Sequence, residues 1–187
     1  MHKTSLLVSA ILLLVSAAPA QQEIFDLVRK GDLPAVKAFV EKSPDALGAR
    51  LPNGSTPLHV AAANNLADIA AALLEKGSAL EARDGYGRTP LILCARERGQ
   101  AALGRVLIQA GADINAVDKF GDSALSLAAW RGKADFIDLL LEKGAKLPTA
   151  GPKVSALVHQ SATQGLATLF RRLLEGGGDV KKAVASK

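Results

Sequence analysis

The chain has 187 residues, a formal net charge of +5 and one cysteine. This length suits one domain of ordinary size, and a single cysteine excludes a disulfide within the molecule. Basic residues are dispersed along the chain, whereas a phosphate-binding surface shows a dense basic stripe, so we do not expect nucleic acid to be a partner.

The first twenty residues have the pattern of a secretory signal peptide. Lys3 gives a positively charged start, an apolar run extends from Leu6 to Ala18, and Ala18-Pro19-Ala20 is a small-x-small cleavage site before Gln21. Because a membrane span needs roughly 20 apolar residues, we expect cleavage of residues 1–20 and no membrane insertion afterwards. The lack of disulfides favours the bacterial periplasm, with secretion to the outside as the second choice.

Beyond the signal, the chain repeats itself. Four related triplets recur at intervals of 33, 34 and 32 residues: Thr56-Pro57-Leu58, Thr89-Pro90-Leu91, Ser123-Ala124-Leu125 and Ser155-Ala156-Leu157. Thr or Ser is suited to cap a helix, and Pro is tolerated at the first helical position. A second helix follows in each unit and ends at a glycine such as Gly77 or Gly111. Helices this short are marginal alone, so the units must stack.

The segment STPLHVAAANNLADIAAALLEKGSALEARD, from Ser55 to Asp84, resembles an ankyrin repeat in its TPLH start, its LLEKG and its closing Asp. The next unit resembles one through GRTPL and AGADINAVD. The resemblance implies an all-α solenoid of about five helix-turn-helix units with polar caps at both ends. The ankyrin domain would span residues 21–180, in units of approximately 22–53, 54–86, 87–120, 121–152 and 153–180, with a frayed tail at 181–187.

Candidate reactive groups each have a structural interpretation beside a functional one. The resemblance implies that the His59 ring hydrogen-bonds backbone between neighbouring loops, and the sequence offers it no catalytic companion. Cys94 is interpreted as a small buried residue, with a redox thiol beside Arg96 and Arg98 as the alternative. The histidines and the cysteine after the signal fall in different units, so we expect neither a metal nor a cofactor.

Asp84 and Asp118 occupy equivalent positions one repeat apart, a gap of roughly 10 Å. Carboxylates at such a gap can serve inverting glycoside hydrolysis, which leaves a hydrolase using scattered carboxylates as the alternative function. The favoured interpretation is that each aspartate accepts backbone N–H groups in a turn.

The resemblance implies that the loop tips and first helices form a concave surface for a partner protein. On that surface we predict a recognition patch of aromatic and arginine side chains, the types enriched at binding hot spots: Tyr86, Arg88, Arg96, Arg98, Phe120, Trp130 and Arg131. The chain is therefore predicted to be a monomeric, non-enzymatic interaction scaffold for an acidic protein surface: an adaptor, a protective inhibitor or immunity factor, or a helper of a stress-defence enzyme. Alternatively, the aromatic residues only cap the stack and the arginines are solvated.

Overall fold

The computed structural model describes residues 21–98, 100–148 and 152–175. The predicted signal at 1–20 and the predicted frayed tail at 181–187 lie outside these residues. The α-helices of the described part are α1 (21–30), α2 (Leu33–Lys42), α3 (Pro57–Ala63), α4 (Ala67–Glu75), α5 (Pro90–Arg96), α6 (Ala101–Gln109), α7 (Ala124–Trp130), α8 (Ala134–Glu142), α9 (Pro152–Thr163) and α10 (Ala167–Glu175). A short 3-10 helix, Pro44–Gly48, follows α2.

These helices form two layers of a solenoid. In one layer α3 packs on α5, α5 on α7, and α7 on α9; in the other, contacts run in order from α2 through α4, α6 and α8 to α10. Within the described ranges the only pairing of β type is an isolated bridge between Val117 and Ser123. The predicted all-α solenoid is confirmed. None of the described helices has the length and apolar character that crossing a bilayer requires.

The predicted N-terminal caps of the first helices are present in the three central units. The side chains of Thr56, Thr89 and Ser123 each accept a hydrogen bond from the backbone N–H three residues later. The glycine after the second helix has a positive φ, +92° at Gly77 for example, where a side chain would be strained. The last unit differs from the prediction, because α9 already begins at Pro152 and Ser155 lies inside the helix. A proline whose φ suits the first helical turn explains this earlier start.

The apolar core runs continuously between the two layers. It extends from Ile24 and Phe25 in α1 to Leu169 and Leu173 in α10, all at most 2% exposed. Because each hairpin buries its apolar side against its neighbours, the units depend on one another for stability.

The loop tips between units are held in a row by backbone hydrogen bonds. Gly85 donates its N–H to the Asn53 carbonyl at 2.8 Å, and Lys119 donates to the Tyr86 carbonyl at 3.0 Å. The Arg83 side chain bridges two successive loops by donating to the carbonyls of Gly87 and Val117. The tips are therefore fixed relative to one another, which positions the side chains described next.

Candidate functional site

His59 joins two neighbouring units. Its Nδ1 accepts a hydrogen bond from the Thr56 N–H at 3.2 Å, so its Nε2 carries the proton and donates to the Arg88 carbonyl at 2.9 Å. The ring is fully buried, and this burial holds the pKa of His59 below its usual value even though the Arg88 carbonyl and the Asp84 carboxylate favour the charged form. The structural role implied by the ankyrin resemblance is confirmed.

Arg88 is not on the exposed surface, and this corrects its placement in the recognition patch. It is 6% exposed, and its Nε and Nη2 atoms lie 2.8 and 2.7 Å from Oδ2 of Asp84. The Tyr86 ring covers the guanidinium at 4.5 Å from its centroid. Burial would raise the pKa of Asp84, but hydrogen bonds from Arg88 and the Tyr86 N–H outweigh it and lower that pKa. The ion pair with Asp84 keeps the Arg88 side chain buried, and the sequence pattern of loop-tip positions does not reveal this contact.

Cys94 is buried in α5 with no exposed surface. Burial raises the pKa of its thiol to about 12, with Lys133 nearby acting weakly in the opposite direction. Since the thiolate is the reactive form, this site disfavours the redox alternative. Cys94 serves as a small core residue, as predicted.

Four members of the recognition patch meet in one cavity of about 360 Å³. This α7 groove extends along the exposed side of α7, between the end of α5 and the side of α9. Its lining consists of Arg96, Asp118, Phe120, Asp122, Ser126, Leu127, Trp130, Arg131, Ala156, Leu157 and Gln160. Phe120 and Trp130 are 68% and 66% exposed, large fractions for aromatic side chains.

The remaining patch members lie elsewhere. Tyr86 is half exposed on the preceding tip, where it stacks on Arg88. Arg98 is exposed, but it lines a second depression beside α6 and Lys133. The structure therefore divides the predicted patch into the α7 groove, a neighbouring aromatic tip and a separate arginine.

The groove also contains polar residues that the predicted patch omitted. Asp118 accepts the N–H groups of Phe120 and Asp122 on Oδ1 at 2.8 and 2.9 Å, which confirms its predicted turn role. Asp122 stands four residues after Asp118, where Arg88 stands after Asp84. Comparing the sequences of the two tips could have shown that a second carboxylate, Asp122, stands where the preceding tip has Arg88. Gln160, which donates to the Trp130 carbonyl at 3.3 Å, was missed because the prediction considered only the loop tips and the last residues of the first helices.

The described residues hold no group of three or more His, Cys, Asp or Glu side chains arranged for a metal ion. The groove thus presents aromatic surface, guanidinium groups and carboxylates. These are the chemical groups that recognise side chains of another macromolecule.

Helical hairpins that stack in a row define the class of repeat solenoids, whose concave surfaces serve binding. Residues 24–118 match a family model for ankyrin repeats in three copies, and residues 120–150 match the ankyrin repeat model once more. The chain belongs to the ankyrin repeat family.

Several curated relatives share this repeat region. The chain is 40% identical to the Neurogenic locus notch homolog protein 1 of Xenopus tropicalis over 114 residues, which cover 59% of the chain and 4% of the relative. It is 37% identical to the Ankyrin repeat and KH domain-containing protein 1 of Homo sapiens over 103 residues, 54% of the chain and 4% of that protein. The Caenorhabditis elegans protein mask-1, an ankyrin repeat and KH domain-containing protein, is 34% identical over 129 residues, 68% of the chain and 5% of the relative. The chain therefore spans about one twentieth of these relatives, or less.

Proposed function

We propose that the chain is a non-enzymatic scaffold that binds a partner protein in the α7 groove. The observation that carries this proposal is the meeting of Phe120, Trp130, Arg96 and Arg131, from three separate segments, around one cavity. Two aromatic side chains exposed by about two thirds offer apolar area that a partner would bury. Because the repeats hold the surface rigid, little conformational entropy is lost on association.

The proposed partner presents an acidic surface to the guanidinium groups of the groove. Arg131 stacks on Trp130 at 5.5 Å from the ring centroid, which orients a planar cation beside apolar surface. Arg96, whose Nε lies 3.5 Å from Oε1 of Glu97, also lines the groove. Arginine forks pair with carboxylates in two parallel hydrogen bonds, which gives both attraction and orientation.

The proposed location is the periplasm, with the outside of the cell as second choice, and the proposed state is a monomer. The signal pattern of residues 1–20 and the single cysteine support this location. The corresponding roles are an adaptor, a protective inhibitor or immunity factor, or a helper of a stress-defence enzyme. Amino-terminal sequencing of the exported chain tests the location, since cleavage before Gln21 is expected; retention of residues 1–20 in the cytoplasm would contradict it.

A hydrolase that uses scattered carboxylates is the competing class. Asp84 is buried in its pair with Arg88, so the carboxylates that the groove offers such an enzyme are Asp118 and Asp122. Hydrolysis of a glycoside panel that disappears in Asp122→Asn would favour this class over binding.

Photocrosslinking in cells that produce the chain tests the binding function. A photoreactive phenylalanine analogue at Ala156, an exposed residue of the groove wall, should crosslink one partner protein. The same analogue at Ala110, exposed at the end of α6, is the matched control and should not. Equal crosslinking from both positions would contradict the proposal.

The energetic part of the test combines Trp130→Ala with Arg131→Ala. Both side chains are exposed, so thermal stability should stay near that of the unmodified chain. Loss of a hot-spot aromatic residue should weaken capture of the crosslinked partner by about 2 kcal/mol or more. Leu174→Ala, which removes an exposed apolar side chain on α10, is the control. Unchanged capture by the double variant would remove the groove from the interface.

A further inference from the structure

The α7 groove has carboxylates at one end and guanidinium groups at the other. Asp118 and Asp122 lie at the loop tip before α7, whereas Arg96 and Arg131 lie where α5 and α7 end. The seven residues of α7 separate these ends by about 10 Å, at 1.5 Å per residue. An aromatic ring stands at each end, Phe120 at the acidic one and Trp130 at the basic one.

The acidic end distinguishes this unit from the preceding one. In the preceding unit the Arg88 guanidinium pairs with Asp84. Here the residue four positions later is Asp122, whose Oδ1 lies 3.3 Å from the Ser126 hydroxyl that donates to it. Two carboxylates therefore replace a carboxylate and a guanidinium, and they border a cavity that Phe120 also lines.

From this arrangement we infer that the α7 groove binds a partner segment bearing a basic and an acidic side chain about 10 Å apart. The basic side chain pairs with Asp118 and Asp122 and lies against the Phe120 ring, a geometry that favours cations. The acidic side chain pairs with Arg131 and Arg96 beside Trp130. The inference deepens the proposed function and rests on it, because it assigns an orientation and a charge order to the segment that is bound.

The distance between the charges sets their spacing in the partner sequence. An extended chain advances about 3.3 to 3.6 Å per residue, so the two charges would be about three positions apart. In a helix that rises 1.5 Å per residue they would be about seven positions apart. The order of the basic and acidic residues is the same for both spacings. The spacing that is found would show whether the bound segment is extended or helical.

Selection from a displayed library of short random peptides, with the full mature chain immobilised, tests this inference without knowledge of the partner. Enriched peptides should contain Arg or Lys and Asp or Glu at one of the two spacings, with an apolar residue between them. Their binding should be at least about tenfold weaker to Trp130→Ala than to the unmodified chain.

The decisive variant is Asp122→Arg. It places a guanidinium four residues after Asp118, as Arg88 stands after Asp84, so a stacked and soluble protein is expected. Peptides selected on this variant should no longer require a basic residue but should keep the acidic one. Asp138→Arg makes the same charge change at an exposed position of α8 outside the groove and should select the same peptides as the unmodified chain.

Several results would overturn the charge assignment: no enrichment, enriched peptides of one charge sign, or identical preferences for Asp122→Arg and the unmodified chain. Failure of this inference remains distinct from failure of the proposed function. If crosslinking from Ala156 succeeds and depends on Trp130 while the peptides show no charge order, the groove binds a partner but not in this way. If crosslinking also fails, the binding function itself is wrong.

Discussion

Removal of the Arg88 side chain tests how the loop tips are stabilised. Arg88→Ala leaves the Asp84 carboxylate buried, with the N–H groups of Tyr86 and Arg88 still donating to Oδ1 at 2.9 and 3.0 Å. Breaking a buried ion pair costs about 3 to 5 kcal/mol. Because the two N–H groups still solvate the charge, we expect the lower end, a loss of about 3 kcal/mol in the free energy of unfolding. The free energy of unfolding of a domain is about 5 to 15 kcal/mol in total, so this loss is a large fraction of it.

Urea denaturation followed by far-UV circular dichroism measures the change. Arg105→Ala removes an exposed arginine from α6 and should alter stability by no more than about 0.5 kcal/mol. In a double-mutant cycle, Asp84→Asn combined with Arg88→Ala should give a coupling energy of about 1 to 3 kcal/mol. A loss below about 1 kcal/mol in Arg88→Ala, or additive losses in the cycle, would refute the reasoning, since either would mean that the pair behaves like an exposed one.

The other predictions concern buried groups of the central units. Because the pKa of His59 is lowered in the folded state, the unfolded chain binds the proton first as the pH falls below about 6.5, so stability should decrease from pH 7 toward pH 5. Urea titrations over this range should show a smaller decrease in stability for His59→Gln than for the unmodified chain. An equal decrease in both proteins would contradict the assignment. With a pKa of about 12, Cys94 should react with a thiol reagent at pH 8 about a thousandfold more slowly in the folded chain than in urea, and rapid labelling of the folded chain would disprove its burial. In Gly104→Ala the new methyl group would lie 2.8 Å from Cζ of the buried Phe136 ring. We therefore expect the free energy of unfolding to fall by about 1 to 3 kcal/mol, whereas alanine raises it by about 1 kcal/mol in an open helix. Adding Phe136→Leu should recover part of this loss, and a stabilised single variant would show that the ring moves aside.

The repeating part of the fold could be predicted because each unit contains the same local signals. Thr56 and Thr89 cap their helices as their sequence context indicates, and Gly77 ends a helix with the positive φ that glycine favours. These signals are local, so they can be read within a single unit. The start of α9 was predicted wrongly at Ser155, because the triplet that begins there fits the period. Pro152, three residues earlier, suits the first helical position better.

The site was harder to predict because exposure depends on contacts between residues in different turns and helices. Tyr86 and Phe120 occupy the same tip position in successive units. Tyr86 stacks on a guanidinium that Asp84 holds in place, whereas Phe120 lies two positions before Asp122 and borders the groove. A pattern that aligns the two rings cannot separate these environments. The difference lies in the identity of one residue, Arg88 or Asp122, two positions beyond each ring.

The groove forms where the repeat pattern changes. His59, Ile92 and Ser126 hold the same place in three successive units; the first two are almost fully buried, whereas the small Ser126 is partly exposed and lines the groove. A serine removes the volume that imidazole or a branched aliphatic chain fills, while its hydroxyl still accepts the Ser123 N–H at 3.0 Å and completes the helix cap. Asp122, in the position of Arg88, places a carboxylate instead of a guanidinium beside the space that Ser126 opens. Both substitutions leave the capping and stacking contacts of the unit in place, which explains how one repeat can acquire a groove without loss of the solenoid.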